Sequence, residues 1–167
     1  MSASNAWFAA TRSPNRSTTG AGRRLVAVPA DPADYASGLL RVRSAAVAAG
    51  RRAQDVTPAL FVSVRVDEDV ERGRYGLDAY ARAVHGMPLA EPARIQAVVT
   101  GSAEQVGERL ARFAAAGARH VVVRLGALDL SSQRDQLERV AELIPALKAS
   151  ASAAAPAVGR VQQETVD

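Results

Sequence analysis

The chain has 167 residues, 48% hydrophobic and 23% charged, which is one ordinary domain's length with enough apolar material for a core and too much for a disordered chain. The absence of cysteine excludes disulfides, thiolate metal sites and cysteine nucleophiles, and His85 and His120, the two histidines, leave little for an imidazole metal site. The formal charge of +4 comes almost wholly from arginine spread along the chain among Asp and Glu, with aromatics at 4%, whereas a nucleic-acid surface gathers basic residues around stacking aromatics.

The N-terminal residues 1–23 are rich in Ser, Thr, Asn, Arg and Gly and read as a loop-rich segment with one short strand at Trp7 to Ala10. They lack the apolar centre of a signal peptide, and no run reaches the roughly 20 apolar residues of a membrane span, so a cytoplasmic protein without a membrane partner is expected. Leu25 to Val28 is a second short apolar run, stopped by Pro29. A helix follows: Asp31 is placed to cap it, Pro32 suits its first turn, and Gly50 stands where a left-handed C-terminal cap is wanted. Its apolar residues Leu39, Leu40, Val42, Ala46 and Val47 recur on a helical period.

Thr57 to Val66 (TPALFVSVRV) is rich in β-branched residues and ends in alternation, as in a buried strand that meets solvent at its end. Asp67 can cap a helix running to about His85, with Gly86 and Pro88 as its stop. Ile95 to Val99 is another apolar run, after which Ser102 and Gln105 stand in the relation of a capping box. The helix they open carries Val106, Leu110 and Phe113 and ends at Gly117. His120 to Leu125 (HVVVRL) is the strongest strand signal, suited to burial in a parallel sheet. Asp129 with Ser131 and Ser132 introduces a last helix bearing Leu137, Val140, Ala141 and Ile144, which Pro145 should kink or stop within a turn or so. The remainder, 149–167, is low-complexity and reads as a disordered tail, leaving 24–148 as the folded domain.

Strands that alternate with helices of this length imply right-handed crossover units and an α/β fold with a parallel sheet. No Gly-x-Gly-x-x-Gly, phosphate-loop lysine motif or Gly-x-Ser-x-Gly is present, so dinucleotide-binding, P-loop and hydrolase-elbow readings have no support.

Four segments carry a likeness. They are PADPADYASGLLRVRSAAVAAGR, ALFVSVRVDEDVERG, VVTGSAEQVGERLARFAAAGARHVVVRL and LERVAELIPALK. In this order and spacing, Pro29 to Lys148 resembles the carboxyl-terminal half of the bacterial luciferase-like monooxygenase superfamily. The resemblance implies a partial, half TIM-type (β/α)8 barrel, since a full one takes roughly 250 residues. It also implies FMN or the deazaflavin coenzyme F420 as cofactor, and a homodimer or a full-length relative that completes the barrel.

Upstream, WFAATRSPNRSTTGAGR resembles the segment in which family members end a strand in two glycines and cradle the flavin phosphate on backbone amides. Ala9 and Ala10 stand in place of those glycines, where a Cβ hinders the close approach, while Thr11, Arg12 and Ser13 offer hydroxyls and a charge. The alternative reading of these residues is an ordinary polar loop.

Arg124, near the carboxyl end of its strand with Gly126 just after it, is the other cofactor or substrate candidate, the alternative being a surface ion pair. Thr100, Gly101 and Ser102 stand at a helix start where an anion could be held, although the capping box accounts for them. His120 falls at the wrong end of its strand for barrel chemistry, and His85 suits a helix C-terminus as a cation. Asp67, Glu68 and Asp69 resemble a paired-carboxylate site but also the acids that favour a helix start. The function expected is a luciferase-like flavin- or deazaflavin-dependent oxidoreductase acting with O2, truncated or divergent. The alternative is a non-catalytic half-barrel that associates with itself or docks on a partner.

Overall fold

The computed structural model describes residues 24–27 and 29–153; the short strand expected at Trp7 to Ala10 lies outside them. The elements in chain order are β1 (Arg24–Ala27), α1 (Pro32–Ala48), β2 (Thr57–Val66), α2 (Val70–His85), β3 (Ala97–Gly101), α3 (Ala103–Ala115), β4 (His120–Leu125) and α4 (Leu130–Ala153), with two short 3-10 turns at Ala53–Asp55 and Pro92–Arg94. Asp31 accepts a hydrogen bond from the Ala33 amide, Ser102 and Gln105 close their reciprocal box, and Gly86 ends α2 at φ 69°. The cap of α2 is Asp69, not Asp67: its carboxylate accepts from the Glu71 and Arg72 amides. At α4 the Asp129 carboxylate accepts from the Ser132 amide and from both serine hydroxyls.

Pro145 does not end α4, which runs on to Ala153 through part of the segment expected to be tail. A proline inside a helix removes one amide donor. Here the residue is exposed, so water can serve the carbonyl left behind, and the Ala-rich turns after it have high helix propensity.

All four strands are parallel, and β2 pairs with each of the other three. Ala59 and Leu60 pair with β1 and β4 at once, and Val62, Ser63 and Val64 with β3 and β4 at once. A strand has only two edges. Hence β4 takes one edge of β2, while β1 and β3 follow one another along the other edge. The chain steps forward from β1 to β2, back to β3, and forward again across β2 to β4. With right-handed crossovers, that reversal places α2 on the opposite face of the sheet from α1 and α3.

The packing agrees. Leu60, Val62, Val64 and Val66 of β2 share one core with Tyr35 and Leu39 of α1, Val106, Leu110 and Phe113 of α3, and Leu143 of α4. Each fully buried aliphatic side chain there contributes about 1.5–3 kcal/mol. On the other face, α2 lays Gly73 against Thr100, Gly76 against Arg65 and Leu77 against Gly126. The four strands, with helices α1, α3 and α4 on one side, form part of a TIM-type (β/α)8 barrel, and α2 covers the other face. No described helix is long and apolar enough to cross a membrane.

Burial corrects two sequence expectations. Leu40 and Val47 of α1 face solvent, because the helix buries the Tyr35, Leu39 and Ala46 stripe instead. In β4, Val121 and Val122 are 40% and 45% exposed, since β2 covers only one of its edges among the described residues. Where β4 ends, a side chain continues its ladder. The Gly126 amide donates to the Val64 carbonyl, and then buried Gln136 of α4 accepts from the Val66 amide at 2.7 Å and donates to the Val66 carbonyl at 2.9 Å.

Replacing Gln136 with Leu strands two buried backbone groups, so urea denaturation is expected to show a loss of roughly 2 kcal/mol or more. The glycines separate by location. Gly107→Ala, with nothing near its added methyl, is expected to gain up to about 1 kcal/mol. Gly73→Val, which would press on Thr100 and Asp67, is expected to cost about 1–3 kcal/mol in the same assay.

Candidate functional site

In barrels of parallel strands the chemistry gathers at the carboxyl ends, where loops from several strands meet. Here those ends bring together Arg65 and Asp67 of the β2 end, Thr100 at the end of β3, and Arg124 with Gly126 at the end of β4. Register fixes who shares a face. Phe61 stands beside Val122, Ser63 beside Arg124 and Val98, and Arg65 beside Thr100, all on the face that α2 covers. The polar alternation at the end of β2 therefore does not mark solvent: Ser63 is 4% exposed.

The two arginines differ in what holds them. Arg65 Nη1 donates to the Gly126 carbonyl at 2.9 Å, and its guanidinium lies under Gly76 of α2. Arg124 is half-buried, with its guanidinium carbon 4.6 Å from the centre of the Phe61 ring and Nη1 3.0 Å from His85 Nε2. Neither has a carboxylate at ion-pair distance among the described residues. Ser63 Oγ, Arg65 Nε and Thr100 Oγ1 are buried there with no hydrogen-bond partner among those residues. Buried polar groups are normally satisfied, so the donor-rich strip between the sheet and α2 is exceptional. It suits an anion. Gly73 and Gly76 block direct access to Thr100 and Arg65, which leaves Arg124 as the group best placed to meet a ligand.

Asp67 is 6% exposed, and its carboxylate is spoken for: it accepts from Arg72 at 3.0 and 2.6 Å and from the Asp69 amide at 3.0 Å. Those donors, the Arg72 guanidinium first, hold its acid below the ordinary 3.8 despite burial. Asp69 caps α2, and no group of three or more metal-ligating side chains occurs among the described residues. The carboxylates thus serve structure. Thr100, Gly101 and Ser102 end β3 and cap α3 as the sequence suggests.

His120 is exposed at the amino end of β4. His85 is not alone at the end of α2: its Nε2 lies 3.0 Å from Arg124 Nη1, and since arginine only donates, the imidazole nitrogen is the acceptor in that contact. Sequence reasoning missed the His85–Arg124 pairing and the part of Ser63 and Arg65. The alternating S-V-R-V was the available signal, but which face it met depended on the reversed crossover. Ala9, Ala10, Thr11, Arg12 and Ser13 lie outside the described residues.

No family model and no curated protein matches the chain. Among solved structures, it is similar to an F420-dependent secondary alcohol dehydrogenase in complex with an F420-acetone adduct, at 18% identity and TM-score 0.56 over 74% of this chain and 42% of that one. It is also similar to the coenzyme F420 dependent tetrahydromethanopterin reductase from Methanopyrus kandleri, at 14% identity and TM-score 0.53 over 74% and 45% of the two chains. A third is riboflavin lyase (RcaE) with modified FMN and substrate riboflavin, at 15% identity and TM-score 0.52 over 75% and 38%.

A depressed carboxyl pKa in the native state means that the unfolded chain takes up the proton first. Stability from the Asp67–Arg72 pair is therefore complete above the ordinary carboxylate range and is lost as pH falls through it toward the native value. Urea midpoints measured from pH 7 down to pH 2 are expected to fall less steeply in Asp67→Asn than in the native chain. The chain spans less than half of each of the three solved structures, and what it shares with them is the fold.

Proposed function

We propose that this chain is part of a flavin- or deazaflavin-dependent oxidoreductase of the luciferase-like monooxygenase type. FMN or F420 would lie at the carboxyl ends of β2 and β4, on the face that carries Arg124. The observation that supports this reading best is Arg124 itself: a half-buried guanidinium at the end of a barrel strand, stacked on Phe61 and lacking a carboxylate among the described residues. A guanidinium in that position binds the phosphate or carboxylate of a cofactor or an acidic substrate in bidentate fashion.

The likeness to structures holding F420 and FMN points the same way. When bound, such a cofactor supplies the two-electron redox chemistry, and the protein supplies binding, orientation and exclusion of water. Of this chain's residues, Arg124 would hold an anionic group, and Phe61 would keep the guanidinium plane in place. Thr11, Arg12 and Ser13, after Ala9 and Ala10, would offer hydroxyls and a charge to the phosphate. A second copy of the chain, or a full-length relative, would cover the edge of β4 that has no partner strand among the described residues. The chain has no nucleic-acid role in this reading.

The exposed valines of β4 favour a second reading, a non-catalytic module that buries this edge by association, because open sheet edges are normally covered. Titration with FMN and with F420, followed by fluorescence and thermal shift, decides between the two. The enzyme reading expects saturable binding that Arg124→Gln weakens by about tenfold or more, the loss of one strong charged contact. No response to either ligand at millimolar concentration overturns it, and a stable dimer by sedimentation without ligand binding supports the module instead.

A further inference from the structure

In the 3.0 Å contact between Arg124 Nη1 and His85 Nε2, the arginine can only donate. Guanidinium has N–H groups and no available lone pair, so the lone pair in this bond belongs to Nε2 and the ring proton to Nδ1. Protonating Nε2 destroys the acceptor and sets a second cation against the first. The centre of the Phe61 ring lies 4.6 Å from the guanidinium carbon, a cation–π contact that limits how far Arg124 can swing away.

Among the described residues, no carboxylate stands at ion-pair distance from His85 or Arg124. From α2, Arg82 is paired with Asp78, whose other oxygen accepts from the Leu89 amide, and Tyr80 meets His85 only edge to face at 6.5 Å. From β2, Arg65 is held by the Gly126 carbonyl. On β4, His120 is exposed and lies on the same face as Arg124, with Val122 between them.

We infer that His85 and Arg124 form a proton-coupled anion site, in which a phosphate, sulfate or carboxylate group displaces their mutual hydrogen bond and a proton binds at His85 Nε2. Both side chains then donate to the anion, one from α2 and one from β4, and the charge that was repulsive becomes favourable. By linkage, the anion raises the proton affinity of His85 as much as the proton raises that of the site for the anion. This rests on the reading of Arg124 as the anion-facing residue and adds to it the regulation of the same site by pH.

Sulfate is the test probe, because its charge is constant between pH 5.5 and pH 8. The native chain is expected to bind it at least about fivefold more tightly at pH 5.5 than at pH 8. His85→Gln should bind with the same affinity at both, and Arg124→Gln should lose binding at both. With two histidines in the chain, long-range proton–nitrogen NMR reads each ring separately. Without sulfate at pH 8, His85 should carry its proton on Nδ1, and added sulfate at pH 6.5 should protonate Nε2.

Equal sulfate affinity at the two pH values, a His85 ring protonated on Nε2 without ligand at pH 8, or undiminished binding in Arg124→Gln each overturns the inference. FMN and riboflavin separate a cofactor phosphate from a substrate anion. A pH dependence of FMN binding that His85→Gln removes, and that riboflavin binding lacks, assigns the site to the cofactor phosphate. Proton-linked sulfate binding without any flavin or F420 binding would refute the cofactor reading and leave this site standing. Flavin binding through Arg124 with no pH dependence traceable to His85 would do the reverse.

Discussion

The fold depends on the pairing of β2 at both edges. A strand so placed has no unpaired ladder over most of its length, and both of its faces are covered, one by α1, α3 and α4 and the other by α2. Its composition reflects that position: Leu60, Val62 and Val64 are fully buried. Even its last residue is completed, since Gln136 of α4 takes the hydrogen bonds of Val66 where β4 stops. A buried backbone amide or carbonyl without a partner costs more than a typical hydrogen bond gains, so that one glutamine ties α4 to the sheet by satisfaction as well as by packing.

Because the chain steps back from β2 to β3, the two faces of the sheet have different chemistry. The face under three helices is aliphatic and aromatic, with Tyr35 and Phe113 edge to face at 6.2 Å. The face under α2 carries Ser63, Arg65, Thr100 and Arg124. A helix can lie on so polar a surface only if it comes close without bulk, which is what Gly73 and Gly76 allow. Glycine lowers helix propensity, and α2 recovers stability through its Asp69 cap, its Gly86 end and the Arg82–Asp78 pair.

Charge is sorted in the same way. Described aspartates serve caps and ion pairs: Asp31, Asp55, Asp67, Asp78, Asp129 and Asp135 each have donors that hold the acid below its ordinary range. Arg65 and Arg124, at the carboxyl ends of the strands where a barrel presents its ligand site, have no carboxylate at ion-pair distance among the described residues.

The sequence by itself determined the local elements. Caps at Asp31 and Ser102, the glycine stop at Gly86, and the β-branched runs at Thr57–Val66 and His120–Leu125 are short-range effects, each governed by a few neighbouring residues. It also determined the α/β class, through the alternation of those elements. Only the tertiary structure decided the order of strands in the sheet, and with it which face each side chain meets. Periodicity cannot say whether a crossover steps forward or back. For that reason Ser63 and Arg65 looked solvent-bound and are covered, and the meeting of His85 with Arg124 was not legible. Two residues 39 apart in the chain meet only because α2 is carried to the polar face of the sheet.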